Sequence, residues 1–182
     1  MNFYWRKRSA KKWDTIALDG KMSAPASVWY EPTMRCNLRC KFCHQTERRQ
    51  HKLSEMTTAE VLSFFENVKA HNIQRIDMIG GEIFVRKDIF ELLDWIEENG
   101  LKVKLGSNGV MINEERIARL KEYTCIESIA ISLDGKQETH DWLRGQKGAY
   151  EKSTTAIKKM AGSNFMLISY GVLVPENFDS IE

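Results

Sequence analysis

The sequence predicts an α/β fold: a partial, TIM-like (β/α) barrel of parallel strands with about five βα units, left incomplete. Two observations carry this. From Val28 onward, short runs rich in β-branched and aromatic residues alternate with amphipathic helical stretches, the pattern of parallel βα units. Polar residues also collect at the carboxyl ends of the strand runs, where a parallel barrel builds its sites.

The strand runs are Val28–Thr33, Ile73–Ile79, Leu101–Gly106, Ile126–Leu133 and Phe165–Val172. Between the first two, Thr57–Ala70 places Val61, Leu62, Phe65 and Val68 on one helical face, with Thr57 or Thr58 as N-cap. Further helices are expected at Lys87–Asn99, closed by Gly100, at Glu114–Tyr123, and at Tyr150–Met160, closed by Gly162. Right-handed crossovers would curl the strands in order. In the fourth strand, Ile129, Ile131 and Leu133 then face the helices, while Ala130, Ser132 and Asp134 face the lumen. Five strands cannot close an eight-stranded barrel, and a further helix begins near Asn177. The expectation is a truncated barrel over 28–182, or one completed by a partner, preceded by an N-terminal extension over 1–27.

An apolar share of 42% among 182 residues supports a core. Lys and Arg (27) barely exceed Asp and Glu (25), so nucleic acid is not an expected partner. The basic run Arg6, Lys7, Arg8, Lys11 and Lys12, interleaved with Trp5 and Trp13, reads as a solvated terminal arm, with an arm that binds a peptide or an anionic surface as the alternative. No apolar stretch follows it, and no segment has the about 20 apolar residues of a membrane span. A cytoplasmic protein without membrane attachment is expected. Three of the four cysteines fall within eight positions, a clustering that in a reducing compartment favours metal over disulfide.

Cys36, Cys40 and Cys43 form C-x3-C-x2-C directly after the first strand. Three readings fit the spacing: three thiolates on an iron–sulfur cube with one iron left open, a zinc site completed by His44 or His51, or one face of a buried helix. Pro32 just upstream weakens the last. The stretch Cys36-Asn37-Leu38-Arg39-Cys40-Lys41-Phe42-Cys43 resembles the signature of the radical S-adenosylmethionine (SAM) superfamily, especially its SPASM and molybdenum-cofactor-type branches. That resemblance implies a [4Fe–4S] cluster on Cys36, Cys40 and Cys43, with SAM chelating the open iron and Phe42 lying against its adenine.

The same resemblance extends to the other strand ends. Gly80-Gly81-Glu82 is similar to the family's GGE motif, which implies a contact to the SAM amine, although Ile83 stands where many relatives have proline. Ser107-Asn108-Gly109 is similar to its T-N-G segment and places Asn108 toward cofactor or substrate; a plain turn also fits. Ser132, in Ser132-Leu133-Asp134-Gly135, resembles a SAM-binding position, and Arg144 falls where relatives carry an arginine for the SAM carboxylate. A surface ion pair is the other reading of Arg144. His140 reads as a structural or loop residue, and Cys125 as a small buried hydrophobe. Val172 to Asn177 resembles the end of the family's fifth strand. Lys102 and Lys104 share the lumen face of the third strand and are candidates for substrate contact.

By resemblance, then, the chain is a radical SAM enzyme in which SAM is reductively cleaved to a 5′-deoxyadenosyl radical that takes hydrogen from a peptide or protein. A small-molecule or cofactor-biosynthesis substrate is the alternative, and a non-catalytic iron–sulfur or zinc module the alternative of another class. An external one-electron donor of flavodoxin or ferredoxin type is implied. No acid–base group is needed to start such a reaction, so none is assigned as catalytic.

Overall fold

The computed structural model describes residues 24–45 and 54–180. Five parallel strands form one sheet in chain order: β1 (Val28–Tyr30), β2 (Arg75–Met78), β3 (Lys102–Ser107), β4 (Ile126–Ser132) and β5 (Met166–Tyr170). Sequential order without reversal is what a barrel wall gives, in contrast to a doubly wound sheet.

Period-2 patterning splits each strand between two faces. Ile76, Met78, Val103, Leu105, Ile129 and Ile131 are buried against the helices, where they form one core with Val61, Phe65, Leu92, Leu93 and Leu120. The other face is the lumen. It carries Lys102 and Lys104, as expected, and the half-buried pair Arg75–Asp77, bonded at 2.9 Å, with Glu127 at 3.7 Å from Arg75. A register shift at Val103/Lys104 brings Glu127 to this face, since Val103 pairs with Ile126 but Lys104 pairs with Ser128. Trp29, Met166 and Tyr170 are exposed.

The helices are α1 (Thr58–Ala70), α2 (Ile89–Glu98), α3 (Glu114–Glu122), α4 (Gln137–Arg144) and α5 (Ala149–Met160). Thr57, not Thr58, caps α1: its hydroxyl accepts from the Glu60 N–H at 3.3 Å, and the Glu60 carboxylate accepts from the Thr57 N–H at 2.7 Å. α2 begins two residues later than expected. Its capping residue Asp88 makes no side-chain bond to the helix and instead holds Thr58 Oγ1 at 2.6 Å and the Arg86 guanidinium.

Two expectations change. The first strand ends at Tyr30 rather than Thr33, because Pro32 has no N–H for the ladder and the Thr33 side chain already turns the chain, accepting from the Arg35 N–H at 3.0 Å. His140, read as a structural or loop residue, is buried on the short helix α4 together with Arg144; this helix was not among those expected, because Trp142 and Leu143 are its only apolar residues. Its usable signal was Gly145, a left-handed C-terminal residue at φ 68°. The expected extension over 1–27 lies almost wholly outside the described residues.

Packing rather than capping dominates stability here. Phe65→Ala, at a side chain with no exposure, should cost about 3–5 kcal/mol. Thr57→Ala should cost about 1 kcal/mol. Urea unfolding midpoints measured on both variants check the ratio.

Candidate functional site

A cavity of about 470 Å³ opens at the carboxyl ends of the strands, within the range of small-molecule sites. Cys36, Cys40 and Cys43 line one side, and Gly80, Gly81, Asn108, Ser132 and Arg144 line the rest, with Phe42 between. Of the ten site residues expected from sequence, nine therefore share this cavity. Glu82 is the tenth, and it stands behind the wall.

The loop bearing the cysteines is fixed from two sides. Toward β2, the Gly81 N–H donates to the Thr33 carbonyl at 2.9 Å and the Glu82 N–H to the Arg35 carbonyl at 2.8 Å. Toward α4, the Lys41 N–H donates to the Leu143 carbonyl at 2.9 Å and the Arg39 N–H to that of Arg144 at 3.4 Å. Leu38, 1% exposed, is the loop's apolar anchor. Asn108 adds a third tie, donating from Nδ2 to Asn37 Oδ1 at 2.8 Å and reaching Cys36 Sγ at 3.8 Å.

The two glycines serve this docking more directly than they serve a ligand. A Cβ on Gly81 would lie 2.1 Å from the Arg35 carbonyl oxygen, and one on Gly80 would lie 2.8 Å from that of Thr33. Gly80 also has φ 149°, which L side chains rarely adopt. The glycine pair thus lets the cysteine loop press onto the end of β2, and the cavity lies beyond.

Glu82 is fully buried. Its carboxylate accepts from the Asn108 N–H at 2.7 Å, the Ser107 hydroxyl at 2.8 Å and the Phe84 N–H at 3.2 Å. Burial raises its pKa, with the hydrogen bonds from Asn108, Ser107 and Phe84 acting against the rise. In this geometry Glu82 ties the end of β2 to the end of β3 and does not face the cavity; only the backbone of its motif does. Ile83, in place of the family's proline, is buried in a single 3-10 turn, Ile83–Val85.

Arg86 was not singled out in the sequence, and the partners of Asp134 and Asn177, which were, could not be read there. Arg86, 5% exposed, donates to the carbonyls of Pro32 and Met56, both at 2.9 Å, and so joins the two ends of the segment carrying the cysteines. Asp134 accepts two bonds from Arg144, at 2.5 and 2.8 Å, and one from the Val172 N–H at 3.0 Å. Asn177 donates to the Asp134 carbonyl at 3.1 Å and to that of Val172 at 2.7 Å. For Asp134, burial raises the pKa, but hydrogen bonds from His140, Arg144 and Val172 outweigh it and hold the carboxyl at about 2. Cys125 is buried just ahead of β4 and does not line the cavity. His44 is exposed at the cavity mouth, and His51 lies outside the described residues.

The Radical SAM superfamily model matches residues 30–182. The chain belongs to the radical SAM superfamily. Members of the family use a [4Fe–4S] cluster and S-adenosylmethionine. Among curated relatives, an AdoMet-dependent heme synthase of Methanosarcina barkeri is 31% identical, over 79% of this chain and 41% of the relative. The sporulation killing factor maturation protein SkfB of Bacillus subtilis is 29% identical, over 86% and 38%. The radical SAM chain thus spans less than half the length of these relatives. Of solved folds, SuiB of Streptococcus suis bound to S-adenosylmethionine superposes with TM-score 0.76 at 19% identity, covering 87% of this chain and 36% of that one.

The donor set suits the family's cluster. The cavity wall offers three thiols and no carboxylate, and soft thiolate ligands favour iron–sulfur and zinc over hard cations. Among the described residues no three His, Cys, Asp or Glu converge as ligands of one ion. A cube asks for less convergence, because each thiolate takes its own iron. No helix among the described residues is long and apolar enough to cross a membrane.

Three outcomes follow from this geometry. Gly81→Ala should push the Arg35 carbonyl away and lower iron uptake on anaerobic reconstitution at least severalfold, while circular dichroism stays native-like. Glu82→Ala leaves three donors without an acceptor and should cost about 2 kcal/mol or more in urea unfolding. Because the Asp134 pKa falls on folding, from 3.8 to about 2, its stabilisation is complete above pH 3.8 and is lost as pH drops through about 2. A comparison of unfolding free energies between pH 2 and 5 should show this slope in the native chain and a flatter one in Asp134→Asn.

Proposed function

We propose that this chain is the cluster- and SAM-binding part of a radical SAM enzyme that acts on a peptide or protein. The observation that carries the reading is the convergence of Cys36, Cys40 and Cys43 with Gly80, Ser132 and Arg144 on a single cavity. Two strand ends, a loop and a helix supply these groups, and the rim of a parallel barrel is where such ends meet.

Cys36, Cys40 and Cys43 would hold the cluster and leave one iron without a protein ligand. When bound, cluster and SAM together supply a one-electron cleavage that yields a 5′-deoxyadenosyl radical able to take hydrogen from a substrate. The chain's own groups bind and orient. The backbone around Gly80 offers carbonyls to an ammonium group, the Ser132 hydroxyl offers a donor and an acceptor, and Arg144 offers the N–H groups that Asp134 leaves unused. Phe42 and Val172 give apolar walls suited to a purine face. An external one-electron donor of flavodoxin or ferredoxin type is required, and the exposed cysteine loop is the side from which it would reach the cluster.

The substrate assignment rests on relatives named as maturation proteins, among them SkfB and the mycofactocin maturase MftC of Mycobacterium ulcerans, which is 30% identical over 84% of this chain. Relatives named as heme and Fe-coproporphyrin III synthases match at similar identity and support a small-molecule substrate as the second reading.

Anaerobic reconstitution tests the proposal. The native chain should take up about four irons and four sulfides, bind SAM, and release 5′-deoxyadenosine under reductant. Replacing Cys36, Cys40 or Cys43 with alanine should abolish the iron–sulfur absorbance, and Cys125→Ala should keep it. Bound zinc with no SAM cleavage would overturn the enzyme reading. Stimulation of 5′-deoxyadenosine release by a porphyrin, with none by precursor peptides, would overturn the peptide reading.

A further inference from the structure

The structure assigns Arg144 a role in setting the redox potential of the cluster, by a directed hydrogen bond to the Cys40 sulfur; the inference rests on the cluster reading above. Arg144 is 7% exposed on the last turn of α4, and its Nη1 lies 3.8 Å from Cys40 Sγ. The guanidinium cannot swing freely. Its Nε and Nη2 are both committed to the Asp134 carboxylate, at 2.5 and 2.8 Å, a bidentate fork that fixes the plane of the group. The Phe42 ring lies beneath it, with the guanidinium carbon 5.1 Å from the ring centroid. Backbone bonds from Arg39 and Lys41 to the end of α4 hold the cysteine loop at constant distance from the arginine.

This arrangement separates two effects. Asp134 cancels much of the arginine's charge, so what reaches Cys40 is chiefly an oriented N–H dipole. Donors aimed at ligand sulfurs stabilise the more negative, reduced cluster and raise its potential. Arg144 has five N–H bonds; two serve Asp134 and one serves Cys40, so two remain for a SAM carboxylate, and both roles are compatible.

The test is an EPR-monitored redox titration of the reconstituted full chain, without SAM, for native protein, Arg144→Lys and Arg144→Gln. Both variants should show about a tenfold smaller reduced-to-oxidised ratio at a fixed potential, equal to about 59 mV downward for one electron. A native-like potential in Arg144→Gln overturns the role altogether. A native-like potential in Arg144→Lys overturns the directed bond, since charge would then suffice. Should neither variant load a cluster, 15N-arginine labelling of an Arg39→Lys protein gives a readout with Arg144 intact. Pulsed EPR of its reduced cluster should show an arginine nitrogen coupling, and absence of that coupling overturns the inference. Failure of the underlying reading looks different, because native protein would then form no cluster at all.

Discussion

The close seat of the cysteine loop on the end of β2 is the constraint from which the site follows. The Arg35 carbonyl lies where a Cβ of residue 81 would be, 2.1 Å from that ideal position. A hydrogen bond from the Glu82 N–H then locks the same carbonyl at 2.8 Å. Without the glycine, the loop would ride higher and the three thiols would no longer share a wall with β3 and β4. The energy of this contact is modest, a hydrogen bond or two of about 1 kcal/mol each, but its geometry is unforgiving because it is backbone against backbone.

Around that seat stand buried polar struts. Glu82 binds β2 to β3, Arg86 gathers the ends of the cysteine segment, and Asp134 joins α4 to the loop after β5. Each is a charged group largely out of water, costly unless its bonds are satisfied. Glu82 has three donors and Asp134 has Arg144 and Val172, so each cost is offset by bonds that also fix direction. The same economy explains why Arg144 can stand beside a thiol without disturbing the fold: its charge is balanced before it arrives.

The open lumen sets this region apart from the closed core. On the helix side the sheet is packed with aliphatic side chains of no exposure; on the other face Trp29, Met166 and Tyr170 remain in contact with solvent. The lumen also holds Arg75, Asp77, Lys104 and Glu127, a polar floor far below the cavity mouth. The cavity therefore lies between apolar groups at the β5 edge and alternating charges deeper in the lumen.

Sequence alone determined the parallel βα alternation, the order of the strands, the split of β4 into core and lumen faces, and the nine residues that meet in the cavity. The first three follow from local periodicity, and the nine residues from stretches that resemble the motifs of the radical SAM family; both are properties of neighbours along the chain. Tertiary structure decided the rest. That the end of α4 holds the cysteine loop, that Glu82 is a strut with its carboxylate turned away, that Gly80 and Gly81 yield to backbone, and that Arg144 spends its fork on Asp134 depend on partners distant along the chain: Arg39 for α4, Asn108 for Glu82, Arg35 for Gly81 and Asp134 for Arg144. Which of several possible partners a buried charge takes is settled by packing, because desolvation makes the unpaired alternative too costly, and no local pattern of residues records that choice.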